Sequence, residues 1–166
     1  MFSGINKNLR FVGANRGSSG IDGTIASAIG FASGLGKPVV ALVGDLAFLH
    51  DLNSLALVKE LKQPLVIIVI NDRGGGIFSF LPIAGFPDLL EKYFAAAHNY
   101  SFEPAAKMFQ IAYARARSAR EFTDACRQAL AKKEASIIEI EADREENHKS
   151  VQSLQNTMRA YVREGA

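Results

Sequence analysis

Two apolar runs separated by an amphipathic segment limit the folds open to this 166-residue chain. Residues 39–43 and 65–70 consist almost entirely of Val, Leu and Ile, and each run has the length of one strand. Between them, four apolar residues recur at helical spacing: Leu52, Leu55, Val58 and Leu61. Strands that are apolar on both faces and alternate with helices are typical of a covered parallel sheet. The sequence therefore predicts an α/β fold, a three-layer sandwich whose mostly parallel sheet is flanked by helices.

Further elements follow from the same patterns, and the length suits a single domain, residues 1–166. A short first strand is expected at 9–12, and a helix runs from about Ile21 until Gly34 stops it. A helix starts near Asp51, and a capping box at 118–121 opens another. The remaining expected elements are helices at about 88–97, 103–109 and 148–163 and a strand at 136–141.

Composition excludes several classes of function. Nineteen Lys and Arg against seventeen Asp and Glu leave a net charge of +2, too small to attract nucleic acid or an anionic membrane. No apolar run reaches the length of a membrane span. Cys126 is the single cysteine, which rules out an internal disulfide, and the first residues lack the layout of a signal peptide. A cytoplasmic location is expected.

Both apolar runs end at an acidic residue. Asp45 follows Gly44 after the first run, and Asp72 follows Asn71 after the second, just before three glycines. Either aspartate alone is better explained as a turn or cap residue. Together, at the carboxyl ends of neighbouring parallel strands, they predict a Mg²⁺ site completed by phosphate oxygens, because magnesium favours one or two carboxylates plus a phosphate. The helix after Asp45 would favour the same anion through its dipole.

Other polar groups receive weaker interpretations. Arg16, in a glycine-rich turn at residues 13–23, is either a surface charge or a grip for a substrate carboxylate. The residues from 71 to about 87 suit a binding loop that gains order with its ligand. Three histidines are assigned no role: His50, His98 and His148. Cys126 is expected in the core, and a basic cluster is interpreted as a solvated face: Arg115, Arg117, Arg120, Lys132 and Lys133.

The pair Gly44-Asp45-Leu46 and Asn71-Asp72 resembles the cofactor motif of the thiamine diphosphate enzymes, which begins Gly-Asp-Gly and ends Asn-Asn. Leu46 replaces the last glycine and Asp72 the second asparagine. Within this family, the segments 15–23, 44–53 and 74–82 are most similar to the carboligases of menaquinone biosynthesis. The resemblance runs from about residue 9 to the end of the chain.

The resemblance implies roles for individual residues. Asp45, Asp72 and the Gly74 carbonyl would hold Mg²⁺ or Mn²⁺ against the diphosphate of thiamine diphosphate. Ser19, Gly44 and Leu46 would line the diphosphate, and Ile21 would support the thiazolium ring. Arg16 would face a substrate carboxylate beside an apolar wall formed by Ile77, Phe78 and Leu81.

The resemblance also implies a reaction and partners. These carboligases decarboxylate 2-oxoglutarate and add the product to isochorismate, and the cofactor is activated by a glutamate from a pyrimidine-binding domain, usually of a second subunit. By this resemblance the chain is the C-terminal domain of a homo-oligomeric enzyme, with the pyrimidine-binding and middle domains absent and no activity alone. The alternatives are an acetolactate synthase or 2-oxoacid decarboxylase, a non-catalytic Mg²⁺-diphosphate module and, more distantly, a flavodoxin-like FMN module.

Overall fold

The computed structural model describes residues 11–15 and 20–164. Within them, the strands are β1 (Val39–Gly44), β2 (Leu65–Asn71), β3 (Ala112–Ala116) and β4 (Ser136–Glu141). The α-helices are α1 (Thr24–Leu35), α2 (Asp45–His50), α3 (Pro87–Leu89), α4 (Glu103–Phe109), α5 (Ala119–Lys132) and α6 (Arg144–Glu164). Shorter 3₁₀ segments cover Leu52–Glu60, Gly76–Phe80 and Pro82–Gly85, and a π-helical turn covers Leu90–Phe94.

The four strands form one sheet in the order β1-β2-β4-β3, and every neighbouring pair is parallel. In the register of β1 and β2, Gly44 lies opposite Ile70, so both strands end at nearly the same level. The predicted parallel sheet is confirmed, and the residues after β1 and β2 share one edge.

Helices cover both faces of the sheet. One core contains Ile25 of α1, Phe48, Leu55 and Phe102, all at most 1% exposed, packed on Ile67 of β2. The second core places Ala129 of α5 against three strand residues on the opposite face: Val66, Ile68 and Ile138. Burying each large aliphatic side chain contributes about 1.5–3 kcal/mol, and the pattern confirms the three-layer arrangement.

Some boundaries differ from the predictions. Phe11 and Val12 are not in a strand, while Leu9 and Arg10 lie outside the described residues. The segment expected as a helix from Asp51 is a 3₁₀ segment preceded by α2, and the one expected at 88–97 is α3 with its π-helical turn. β3 has no sequence signal, because its small and polar residues, Ala-Tyr-Ala-Arg-Ala, lack the β-branched pattern of the other strands.

Helix ends follow the local sequence. The Ser118 hydroxyl accepts the Glu121 amide hydrogen at 3.2 Å, which confirms the capping box at the start of α5. The Glu121 carboxylate reaches the Arg117 amide at 2.7 Å, one residue before the cap. Gly36 ends α1 at φ 60°, a conformation that glycine adopts without a steric penalty. None of the helices in the described ranges combines the length and apolarity that crossing a bilayer requires.

Candidate functional site

The two aspartates at the strand ends lie at the same edge of the sheet. Asp45 is the first residue of α2, directly after β1, and Asp72 directly follows β2, the parallel neighbour of β1. Asp45 is 2% exposed, and Asp72 is half-buried. Burial, and next the negative charge of Asp45, raise the pKa of Asp72 above its ordinary value of 3.8. Two carboxylates that repel each other at neutral pH favour a divalent cation between them.

Asp45 also ties two chain segments together. Its Oδ1 accepts the Leu46 amide hydrogen at 2.6 Å, and its Oδ2 accepts the Gly74 amide hydrogen at 2.9 Å. Each carboxylate oxygen can accept two hydrogen bonds or bind a metal with its second lone pair. Oδ1 therefore retains a position for a cation while the carboxylate stays fixed.

The loop after Asp72 requires glycine at position 74, and Gly76 leaves room for the Asp72 carboxylate. Gly74 has φ 144°, and a Cβ there would lie 2.5 Å from the Ala95 carbonyl oxygen. A Cβ on Gly76 would collide with the Asp72 carboxylate. The Gly74 carbonyl accepts the Gly76 amide hydrogen at 2.9 Å, which leaves one lone pair for a metal. The glycines allow this backbone to approach the carboxylates.

An open cavity of about 700 Å³ adjoins the site. Asp72 and His98 line it on one side, and the segment from the end of β4 into α6 lines it on the other. Arg144, on this wall, lowers the pKa of Asp72 and so partly opposes the effect of burial and Asp45. Charged and polar side chains dominate the lining, and carboxylates outnumber arginines among them.

The structure describes most of the other predicted site residues. Gly44 is exposed and Leu46 half-buried, and Ile21 is 39% exposed. Ile77 and Leu81 are exposed, whereas Phe78 packs edge-to-face on Phe94 with ring centroids 5.6 Å apart. Arg16 and Ser19 lie outside the described residues. The exposed Ile77 and Leu81 are available to a ligand or to another domain.

Sequence reasoning missed a buried network behind Asp72. The Asn71 side chain faces inward and donates to Glu139 Oε1 at 2.7 Å and to the Tyr100 carbonyl at 3.0 Å. Glu139 is fully buried, and its Oε2 accepts from the Phe102 amide at 2.9 Å and the Tyr113 hydroxyl at 2.7 Å. The available signal was weak: Glu139 lies between two isoleucines of β4. The network fixes the backbone that carries Asp72.

The interpretation of the whole basic cluster as a solvated face is wrong for Arg115. Its guanidinium donates to the Ser101 hydroxyl at 2.7 Å and lies 3.4 Å from Glu141, at the margin of the Glu139 network. Arg115 differs from the other members because β3 points it toward these acceptors. The other four are exposed: Arg117, Arg120, Lys132 and Lys133. Cys126, expected in the core, is half-buried and packs against the margin of the second core, and this burial raises the pKa of its thiol.

His98, to which the sequence assigned no role, lies at the site. Its Nε2 is 3.2 Å from Asp45 Oδ2, and its imidazole stacks on Tyr100 with ring centroids 5.0 Å apart. Nothing in the local sequence predicts this, because the contact depends on how the segment between α3 and α4 returns to the sheet. Across the described parts of the chain, no three His, Cys, Asp or Glu side chains cluster as metal ligands. A cation here therefore needs backbone or ligand oxygens as well.

Asp72→Asn is expected to stabilise the metal-free protein at pH 7. The raised pKa of Asp72 means that the folded state is penalised above that pKa and that the penalty disappears as the pH falls below 3.8. The gain is less than about 1 kcal/mol, because solvent screens this half-exposed group. Urea unfolding in EDTA at pH 7 and pH 4 measures this gain in the free energy of unfolding. The difference in free energy between Asp72→Asn and the unsubstituted protein should be smaller at pH 4 than at pH 7. Asp124→Asn, at an exposed ion pair, is the control; an equal gain there would contradict the explanation.

Comparison with known proteins identifies relatives of this chain. Residues 2–140 match the family model described as the thiamine pyrophosphate enzyme, C-terminal TPP binding domain. The 2-succinyl-5-enolpyruvyl-6-hydroxy-3-cyclohexene-1-carboxylate synthase of Chlorobium limicola is 49% identical over 144 residues, which cover 85% of this chain and 25% of that protein. The synthase of the same name from Rubrobacter xylanophilus is 51% identical over 136 residues, 82% of this chain and 23% of that protein. The chain thus spans about a quarter of these relatives.

A solved structure shares the fold. The crystal structure of benzoylformate decarboxylase from Polynucleobacter necessarius matches with a TM-score of 0.58 over 72% of this chain and 23% of that chain. At 19% identity, the likeness extends to the fold alone.

Proposed function

Because the chain belongs to the family of C-terminal, thiamine pyrophosphate-binding domains of thiamine pyrophosphate enzymes, we propose that it is the diphosphate-binding domain of a 2-succinyl-5-enolpyruvyl-6-hydroxy-3-cyclohexene-1-carboxylate synthase. The identity of about half the residues to synthases of that name supports this assignment. The enzyme uses 2-oxoglutarate and isochorismate in menaquinone biosynthesis. The single cysteine suits a reducing, cytoplasmic setting.

The observation that carries the proposal is the pair of carboxylates at neighbouring strand ends. Asp45 and Asp72 would hold Mg²⁺ or Mn²⁺ together with the Gly74 carbonyl, and the diphosphate would supply further oxygens. The donor set fits a hard cation, because all three groups offer oxygen. Burial and, next, the negative charge of Asp45 raise the pKa of Asp72, and a cation would offset both effects. Ser19, Gly44 and Leu46 would line the diphosphate.

The remaining residues would position the reactants. Bound thiamine diphosphate supplies the electron sink for decarboxylation of the 2-oxoacid. Ile21 would support the thiazolium ring, and Arg16 would bind a substrate carboxylate through paired hydrogen bonds. The half-buried Phe78 and the exposed Ile77 and Leu81 would exclude water from one side of the substrate.

We place residues 1–166 in one domain that works with a pyrimidine-binding domain, which provides the activating glutamate, and we expect the complete enzyme to be a homo-oligomer. The metal and the diphosphate end of the cofactor would bind to this chain. The other end would bind to the partner domain, so affinity for the whole cofactor should be weak here.

Calorimetric titration tests the proposal directly. Thiamine diphosphate is expected to release heat of binding in Mg²⁺ buffer and none in EDTA, because the two carboxylates repel the diphosphate unless a cation intervenes. The chain alone is expected to form no product from 2-oxoglutarate and isochorismate. Equal heats with and without Mg²⁺ would refute the metal site, and product formation by the pure chain would refute its dependence on a second domain.

A further inference from the structure

His98 places a buried nitrogen beside the proposed metal ligand. Its side chain is 5% exposed, and Nε2 lies 3.2 Å from Asp45 Oδ2, the oxygen that also accepts the Gly74 amide hydrogen. The distance suits a hydrogen bond, but the alignment does not, and Nε2 has no hydrogen-bond partner. A buried polar group without a partner destabilises the folded state, so its presence calls for a physical reason.

The backbone settles which nitrogen carries the hydrogen. The Tyr100 amide donates to His98 Nδ1 at 3.2 Å, so Nδ1 acts as an acceptor. In a neutral imidazole the other nitrogen then carries the hydrogen. Nε2 is therefore a donor directed toward the Asp45 carboxylate, and it has no free lone pair with which to bind a metal.

The imidazole is held in place from several sides. It stacks on Tyr100, and it packs against the ring of Phe102 with centroids 6.4 Å apart. Glu139 anchors the same segment, because it accepts the Phe102 amide hydrogen and binds Asn71, which in turn contacts the Tyr100 carbonyl. Asn71 directly precedes Asp72. One buried carboxylate thus supports both the segment that carries His98 and the strand end that carries Asp72.

We propose that His98 is a positioning residue for Asp45: its Nε2–H bonds to Asp45 Oδ2 when a cation binds, and this fixes the carboxylate with Oδ1 toward the cation. This inference rests on the proposed metal site. The Gly74 amide holds the Asp45 carboxylate in an orientation in which Oδ2 lies near Nε2 without aligned hydrogen-bond geometry. Such contacts commonly align only in the loaded site. Completion of the bond requires only a change in the relative orientation of the imidazole and the carboxylate.

Substitution of His98 separates positioning from packing. His98→Phe keeps the ring stacked on Tyr100 but removes the donor, and it is expected to weaken Mn²⁺ binding in the presence of thiamine diphosphate about ten-fold, the loss expected for one hydrogen bond to a charged group. His98→Gln restores a donor at the position of Nε2 and should recover most of the affinity. Unfolding of the metal-free His98→Phe protein should show little loss of stability, because an unpaired buried donor is removed and water can replace Nδ1 as the acceptor of the exposed Tyr100 amide hydrogen. Mn²⁺ binding is followed by electron paramagnetic resonance.

Controls distinguish this inference from the proposed function. His148→Phe replaces a histidine that packs on Phe80 rather than on either carboxylate, and it should leave Mn²⁺ affinity unchanged. If the unsubstituted chain fails to bind Mn²⁺, the proposed metal site itself is wrong. If it binds but His98→Phe binds equally or more tightly, or if His98→Gln is no better than His98→Phe, the positioning role is overturned. In the unsubstituted protein, the Nε2–H proton resonance should move downfield on addition of Mg²⁺ and thiamine diphosphate; an unmoved resonance also overturns it.

Discussion

Asp45→Ala is expected to abolish Mg²⁺-dependent binding of thiamine diphosphate, a loss of at least about a hundred-fold. The substitution removes a carboxylate ligand from a site in which magnesium depends on one or two such groups. It also removes the acceptor of two backbone hydrogen bonds, those donated by the Gly74 and Leu46 amides. The loop that carries the third predicted ligand, the Gly74 carbonyl, then loses its attachment to β1. Calorimetric titration with and without Mg²⁺ measures the effect.

A second buried aspartate provides a matched control. Asp51 is 6% exposed and accepts hydrogen bonds from the Ala26 amide at 2.7 Å and the Ser54 hydroxyl at 2.5 Å. Asp51→Ala should therefore destabilise the fold, by about 1–3 kcal/mol for the unpaired donors, while the folded protein keeps its Mg²⁺ dependence. If Asp45→Ala leaves the Mg²⁺-dependent heat unchanged, Asp45 is not a ligand. If Asp51→Ala abolishes that heat equally in a folded protein, the effect is not specific to the strand end.

The sequence predicts those site residues whose position follows directly from the end of a strand. Asp45 and Asp72 each follow an apolar run directly, so the parallel pairing of β1 and β2 alone brings them to one edge. The three-layer arrangement was predicted correctly for a similar reason: β2 is apolar on both faces, so helices must cover both faces of the sheet. Local spacing carries this information without any knowledge of the rest of the fold.

His98 and Glu139 show what local patterns lack. His98 reaches Asp45 across more than fifty residues of sequence, through a segment of short helical turns without regular periodicity. Glu139 alternates with isoleucines in β4, a pattern that ordinarily indicates a half-exposed strand. It is buried because two neighbouring groups supply donors: the Tyr113 hydroxyl of β3 and the amide of Phe102, the residue before α4. β3 itself was missed, so those donors could not be anticipated.

Glu139→Leu is expected to cause the largest loss of stability, about 3–5 kcal/mol, because removing one member of a buried hydrogen-bonded network leaves its partners unpaired. Four donors would lose this acceptor: Asn71 Nδ2, the Ser101 hydroxyl, the Phe102 amide and the Tyr113 hydroxyl. Asn71 Nδ2 would keep its second partner, the Tyr100 carbonyl. Glu139→Gln keeps one acceptor oxygen and the shape of the side chain, so it should be less damaging, about 1–2 kcal/mol. Urea unfolding in EDTA, where the cofactor site makes no contribution, measures both.

A neighbour in the same strand serves as the control. Glu141 is exposed and lies 3.4 Å from Arg115, so Glu141→Gln removes an ion pair near the surface and should change stability by less than about 1 kcal/mol. Tyr113→Phe then tests the coupling between Tyr113 and Glu139. In the protein with Glu139, this substitution removes a hydroxyl that donates to the carboxylate. In the Glu139→Leu background, it removes a hydroxyl that has already lost this acceptor. The double variant should therefore lose less than the sum of the two single losses. Additive losses, or equal effects at Glu139 and Glu141, would mean that the buried carboxylate does not organise the strand end that carries Asp72.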